Sequence, residues 1–262
     1  MSPSYSGASV SALIMVRRGS NMSLLKKWFF FLVMTVFSSP VFAHNISPED
    51  VIRMNQGGLL DYVYLGAIHM LTGYDHLLFL FGVLFFLKSF KDICKFITAF
   101  TIGHCITLIL ATYLKITFNY FLVDAAIAVS VIYKGFDNNN GFKRLFDIES
   151  PNQLSIVFAF GLLHGFGLST RLQQLPIYSD ASSMLTKILS FNVGVELGQI
   201  VALIPMFVFL SLARKMPSFK QTSIVANTML IIAGTYLLFI QLHRYEHDHD
   251  ARHAQTVAFY DR

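Results

Sequence analysis

The chain is short of charge: only 13% of its 262 residues are Asp, Glu, Lys or Arg, against roughly a quarter in ordinary soluble domains. Beside 54% hydrophobic residues, 26 Phe and 11 Tyr, that scarcity excludes both a soluble globule and a disordered chain. Cysteine is scarcer still. Cys94 and Cys105 are the two present, about 16 Å apart along a helix, too far to bridge each other, so no disulfide framework is implied. The basic surplus is also illusory: Arg17, Arg18, Lys26 and Lys27 precede residue 44 while all 15 acids follow it, leaving residues 44–262 with 16 basic and 15 acidic side chains. Nucleic-acid binding thereby loses its electrostatic argument. There is no phosphate-cradling glycine loop ending in Lys-Ser/Thr, which argues against ATP coupling within this chain.

The amino end reads as processing. Residues 1–21 are small and polar without period, a non-native or disordered extension. From Met22, Lys26-Lys27 precede an apolar stretch from Trp28 to Phe37 and a Val41-Phe42-Ala43 cleavage signature, the pattern of a secretory signal peptide over 22–43. The mature chain is expected to begin at His44.

Beyond residue 57 six apolar runs follow, at about 74–88, 92–114, 118–136, 153–170, 186–212 and 223–242. Their lengths suit helices crossing a bilayer, the first and fourth being short and glycine-interrupted. Leu59 to Met70 either continues into the first span or packs on it after a break near Thr72-Gly73. Backbone in lipid must satisfy its own hydrogen bonds, so the expectation is an all-α polytopic membrane protein: about six transmembrane helices over 44–242, then a polar tail over 243–262. With the mature amino end outside, the inner loops hold Lys88, Lys91, Lys95, Lys134, Lys143, Arg144, Arg214, Lys215 and Lys220, and the short outer ones Lys115, Arg171 and Lys187. Nine against three satisfies the positive-inside rule and puts both mature termini on the extracytoplasmic side of a bacterial cytoplasmic (inner) membrane.

Ionisable residues inside such spans cost about 2.5–3.5 kcal/mol each on insertion scales and mark function by default. Here they are Asp75, His76, His104, Asp124, His164 and Glu196, with His69 just before the first span. Counted from the outer span ends, His104 and Glu196 lie roughly 15 Å deep and Asp124 and His164 roughly 9 Å. Carboxylates and imidazoles meeting in the outer half of one bundle make a ligand set for a borderline divalent cation such as Ni²⁺, Zn²⁺ or Co²⁺. His69 and His76 are seven apart and face one way on a continuous helix. Asn192, Glu196 and Gln199 form a polar stripe, equally readable as an interhelical hydrogen-bonding seam helped by Gly194-x-x-x-Gly198. Gly161, Gly165 and Gly167 around His164 either admit close helix packing or unwind the helix. Phe100-x-x-x-His104 and Phe160-x-x-x-His164 share a spacing. In the tail, His243, His247, His249 and His253 interleave with carboxylates and, with His44 as a free amino terminus, can collect metal ions.

The strings His69-Met-Leu-Thr-Gly73-Tyr-Asp75-His76, Thr98-Ala-Phe-Thr-Ile-Gly-His104, Phe160-Gly-Leu-Leu-His164-Gly-Phe-Gly and Phe191-Asn-Val-Gly-Val-Glu196-Leu-Gly-Gln199 resemble the HupE/UreJ family of hydrogenase and urease accessory membrane proteins, its second branch in particular. The resemblance implies nickel permeation, and the family's His, five residues, Asp-His motif stands intact as His69, Asp75 and His76. Its second nickel motif is represented only by His164-Gly165, and Cys105 stands where similar sequences usually have Ser.

The expectation is therefore a permease for a divalent transition metal, nickel first and zinc or cobalt next, using His69, Asp75, His76, His104, Asp124, His164 and Glu196 with Asn192 and Gln199 in support. Its partners are the bilayer and the ion, with a second copy of the chain and metalloenzyme maturation proteins as further candidates. The competing reading is an intramembrane zinc-dependent, hydrolase-like metalloenzyme, in which these residues hold a metal that activates water.

Overall fold

The computed structural model describes residues 52–53, 56–85, 87–173 and 181–260, without the side chains of 171, 172, 181–183 and 249–260. The expected extension 1–21, the signal peptide 22–43 and His44 lie outside these residues, as do the imidazoles of His249 and His253. Every regular element among the described residues is a helix: α1 Leu59–Thr72, α2 Tyr74–Leu84, α3 Phe90–Tyr113, α4 Tyr120–Asn138, α5 Gly141–Phe146, α6 Gln153–Gln173, α7 Ala181–Ala213 and α8 Phe219–Tyr260.

The helix starts carry local signals. Ser89 caps α3 by accepting from the Asp92 amide at 3.1 Å, and Asn119 caps α4 by accepting from the Phe121 amide at 2.9 Å. Asn152, just after Pro151, accepts from the Leu154 and Ser155 amides at 3.0 and 3.1 Å to open α6. These oxygens satisfy amide donors that a first helical turn otherwise leaves unpaired.

Three helix pairs organise the bundle, each through backbone contact at glycine. Gly194 and Gly198 of α7 abut the Val63 and Ala67 carbonyls of α1. On α6, Gly161 and Gly165 abut the Phe100 and His104 carbonyls of α3, and on α4 Gly135 abuts the Asn227 carbonyl of α8. In the first two pairs residue numbers rise together, so α1 with α7 and α3 with α6 run parallel. Between α4 and α8 they run opposite. The two helices that share the Phe-x-x-x-His spacing are thus parallel packing partners. Close approach at small residues is how helices associate where lipid gives no hydrophobic drive.

Polarity is turned inside out relative to a soluble bundle. Along α7, Val193, Leu197, Val201, Ile204, Val208 and Leu212 form an outward stripe, each about half exposed, while Asn192 and Gln199 are buried. An apolar stripe of that length belongs against lipid. Four helices are individually long and apolar enough to cross a membrane: α3, α6, α7 and α8; the bent pair α1 and α2 makes a fifth. The expected third span, α4, has 19 residues. It carries Asp124, Lys134 and Asp137, all buried, so its polarity is spent on the bundle interior.

Of the two readings of the fourth span's glycines, close packing is the one the fold has: α6 runs unbroken through His164, with Gly161 and Gly165 against α3. Lys134, taken as a loop charge, is 1% exposed within α4. The expected polar tail is helical, since α8 continues through it to Tyr260.

Lys134 anchors a polar ring at the start of α6. Its ammonium donates to Asp137 Oδ2 at 3.1 Å and to Gln153 Oε1, while Gln153 Nε2 donates to the same Asp137 oxygen at 2.7 Å. Beside it, Asn138 donates to the Gly82 carbonyl at 2.9 Å and to Asn227 Oδ1 at 2.6 Å. Arg214, at the end of α7, donates to the Leu84 and Phe85 carbonyls at 2.7 and 3.3 Å, capping the short α2.

Candidate intramembrane histidine site

The site is made by a helix break. At Gly73 the backbone is extended (φ −75°, ψ 99°), its amide bonds the His69 carbonyl at 3.1 Å, and α2 departs at 71° to α1. Of the two expected arrangements, this is the break near Thr72-Gly73 and not one continuous helical face. On an unbroken helix seven residues rise about 10.5 Å, which would keep the two imidazoles apart. With the break, the His69 and His76 rings stand 5.2 Å apart, centroid to centroid. Glycine is required by space and not by φ, since a Cβ at position 73 would lie 2.5 Å from His76 Nδ1.

The chain of rings continues across helices. His76 lies 4.8 Å from His164 of α6, and Phe100 of α3 stands between His164, at 4.9 Å, and His104, at 6.3 Å. Burial deepens along this series: His69 is half-buried, and His76, His164 and His104 are 4%, 2% and 1% exposed.

Hydrogen bonds set the tautomers. Asp75 Oδ1 accepts from His76 Nδ1 at 3.0 Å and from the His76 amide at 2.9 Å. The Phe160 carbonyl accepts from His164 Nδ1 at 2.7 Å. Asn192, its amide oriented by donating to the Ile188 carbonyl at 2.9 Å, accepts from His104 Nδ1 at 2.9 Å. Each acceptor assigns the proton to Nδ1 and leaves the lone pair on Nε2. In His164 that Nε2 is fully buried and has no hydrogen-bond partner. A metal-ligating histidine is ordinarily held in this way, with its other ring nitrogen donating to a carboxylate or carbonyl oxygen.

The remaining expected residues distribute around this series. Asp124 is buried on α4 and faces Gly167 of α6, three residues beyond His164; a Cβ there would lie 3.8 Å from Asp124 Oδ1. Gln199 is wholly buried and accepts from Thr101 Oγ1 at 3.2 Å, so Asn192 and Gln199 do form an interhelical seam, from α7 to α3. Glu196 is half-buried at the edge of that seam. Sequence reasoning missed the aromatic floor. Phe79, 5.4 Å from Phe160 and 5.9 Å from both Phe100 and His164, closes the site from below. Beyond it lies a small apolar cavity lined by residues including Leu80, Val83, Ile97 and Val157. Nor was the Lys134 ring foreseen, although Lys134 and Asp137, three apart in an apolar run, carried the signal.

Among the described residues no group of three or more His, Cys, Asp or Glu side chains is gathered closely enough to hold a metal ion. The histidines are therefore a series of contacting rings with oriented lone pairs, not a closed cage.

Fold and site together define a polytopic α-helical membrane protein with a buried histidine series beneath a broken helix. A family model described as HupE / UreJ protein matches residues 48–249, and the chain belongs to the HupE/UreJ family. Searches of curated proteins and of solved structures found no match.

Proposed function

We propose that this protein is a permease that carries a divalent transition metal, nickel first and zinc or cobalt next, inward across the bacterial cytoplasmic membrane, supplying hydrogenase or urease maturation. The observation that carries the reading is His164, which donates Nδ1–H to the Phe160 carbonyl and keeps a buried Nε2 without a hydrogen-bond partner, 4.8 Å from the His76 ring, for a soft or borderline cation. The ion enters past half-buried His69 and passes to the contacting imidazoles of His76 and His164. Asp75, hydrogen-bonded to His76, supplies negative charge that offsets the cost of dehydrating a dication. Asp124 and Glu196 flank the route, and His104 is its deepest nitrogen donor. Phe79 and Phe100 close the inward end, so inward release requires those rings to turn aside.

Ligands contributed one or two at a time suit an ion that must leave again. A zinc enzyme needs three protein ligands around one metal with a position open for water, and the described residues offer no such group. The test is uptake of radiolabelled nickel and zinc by cells expressing wild type, His76→Ala or His164→Ala. Accumulation of one ion in wild type, abolished in both variants, is the expected result. If wild type moves neither ion yet retains stoichiometric metal through purification, the permease reading falls and the metalloenzyme takes its place.

A further inference from the structure

The apolar part of α8, residues 224–242, rises about 28 Å, close to the roughly 30 Å of a hydrocarbon core. The helix does not stop there but continues through His243-Arg244-Tyr245-Glu246-His247-Asp248. Residues four apart on a helix are surface neighbours. The imidazoles of His243 and His247 are both exposed, and their centroids lie 4.4 Å apart at an interplanar angle of 84°. Composition alone pointed to a tract that gathers ions in any conformation; the helix turns two of its histidines into a pair of fixed geometry.

We propose that His243 and His247 form a two-point chelate for a borderline divalent cation, Ni²⁺ being the ion of choice for the test. Side-chain rotation alone brings one nitrogen of each ring onto a common ion, with the backbone unchanged. Glu246, three residues from His243, adds negative charge on the same side of the helix. No third His, Cys, Asp or Glu among the described residues joins the pair. Water fills the other coordination positions, and the site exchanges its ion readily. The inference is independent of the permease reading, since it concerns a solvent-facing site that binds whether or not the bundle conducts.

The experiment is calorimetric titration of NiCl₂ into the full-length protein in lipid nanodiscs. Wild type is compared with His247→Ala and with the double variant His247→Ala/Arg244→His. The double variant restores the number of histidines but sets the new one a single residue from His243, about 100° around the helix, and five from His249, so that it faces neither. Both variants are expected to lose one nickel equivalent, or to bind it at least about tenfold more weakly, because the second imidazole no longer acts at high effective concentration. If the double variant binds as wild type does, composition and not helical geometry does the binding, and the inference falls. It falls equally if His247→Ala leaves the titration unchanged.

Discussion

Two buried polar clusters sit about 16 Å apart along α6, and they are built on opposite plans. At the start of that helix, Lys134, Asp137 and Gln153 bond one another in a ring, with the lysine balancing the carboxylate at 3.1 Å. At the helix break, the carboxylate of Asp75 is bonded to an imidazole, and the neighbouring His164 keeps a buried nitrogen lone pair with no partner. The first cluster balances its charges and staples helices, with Asp137 Oδ1 the carboxylate oxygen left without a hydrogen bond; the second leaves a neutral imidazole nitrogen over. Burial of polar groups and an unsatisfied atom are common to both, so neither distinguishes function. The kind of atom left over does: an oxygen whose charge a lysine already balances, or a nitrogen lone pair suited to a borderline cation.

The largest expected effect tests the staple. Lys134→Ala strands the Asp137 carboxylate and should destabilise the protein by about 3–5 kcal/mol, whereas the double change Lys134→Met/Asp137→Leu should cost far less, because an apolar pair leaves no buried charge. Unfolding in detergent micelles measures both. Equal losses in the two variants would mean that the ring is more than a neutralised pair.

The opposite signature is expected at the break. His164→Ala should lower nickel affinity about 10–100-fold, read by equilibrium binding to purified protein, with a smaller loss of stability than Lys134→Ala. Gly73→Ala keeps an allowed backbone but forces a methyl group to 2.5 Å from His76 Nδ1. The ring must turn away from Asp75, and uptake should drop about tenfold; uptake at the wild-type rate would show that the His69–His76 contact is incidental. Asn192→Leu removes the acceptor that fixes the His104 tautomer, and a fall in affinity of about tenfold or less is expected from losing one orienting bond.

How far all this was legible varied with the range of the interaction involved. Helical class, the break near Gly73 and the residues around it follow from local composition, because apolar run length and a single glycine speak for themselves. The orientation of the rings was not legible. The acceptors of His104 and His164 are Asn192, 88 residues away, and a backbone carbonyl one turn earlier, and neither spacing announces a tautomer. The matching Phe-x-x-x-His segments illustrate the limit. In α6 the phenylalanine contributes its carbonyl to the histidine, while in α3 it contributes its ring. The Gln153 link to Lys134 is likewise tertiary, since the two stand on different helices.

Glu196 should give the smallest effect, and it divides the sequence pattern from the geometry. On the helical wheel it belongs with Asn192 and Gln199, which would make it a ligand of equal rank. In the structure those two are 4% and 0% exposed and bonded to α3, while Glu196 is half-buried at the seam's edge. On the permease proposal, a carboxylate in that position is expected to steer a cation by its field and not to coordinate it at the centre of the ring series. Glu196→Gln removes the charge and keeps the shape. It is expected to change nickel uptake by less than about threefold, an electrostatic contribution on the scale of a partly exposed ion pair, and to weaken further as ionic strength rises. Loss of uptake comparable to His76→Ala would instead place the carboxylate among the ligands, and the conducting state would then have to turn α7 so that Glu196 faces the histidines.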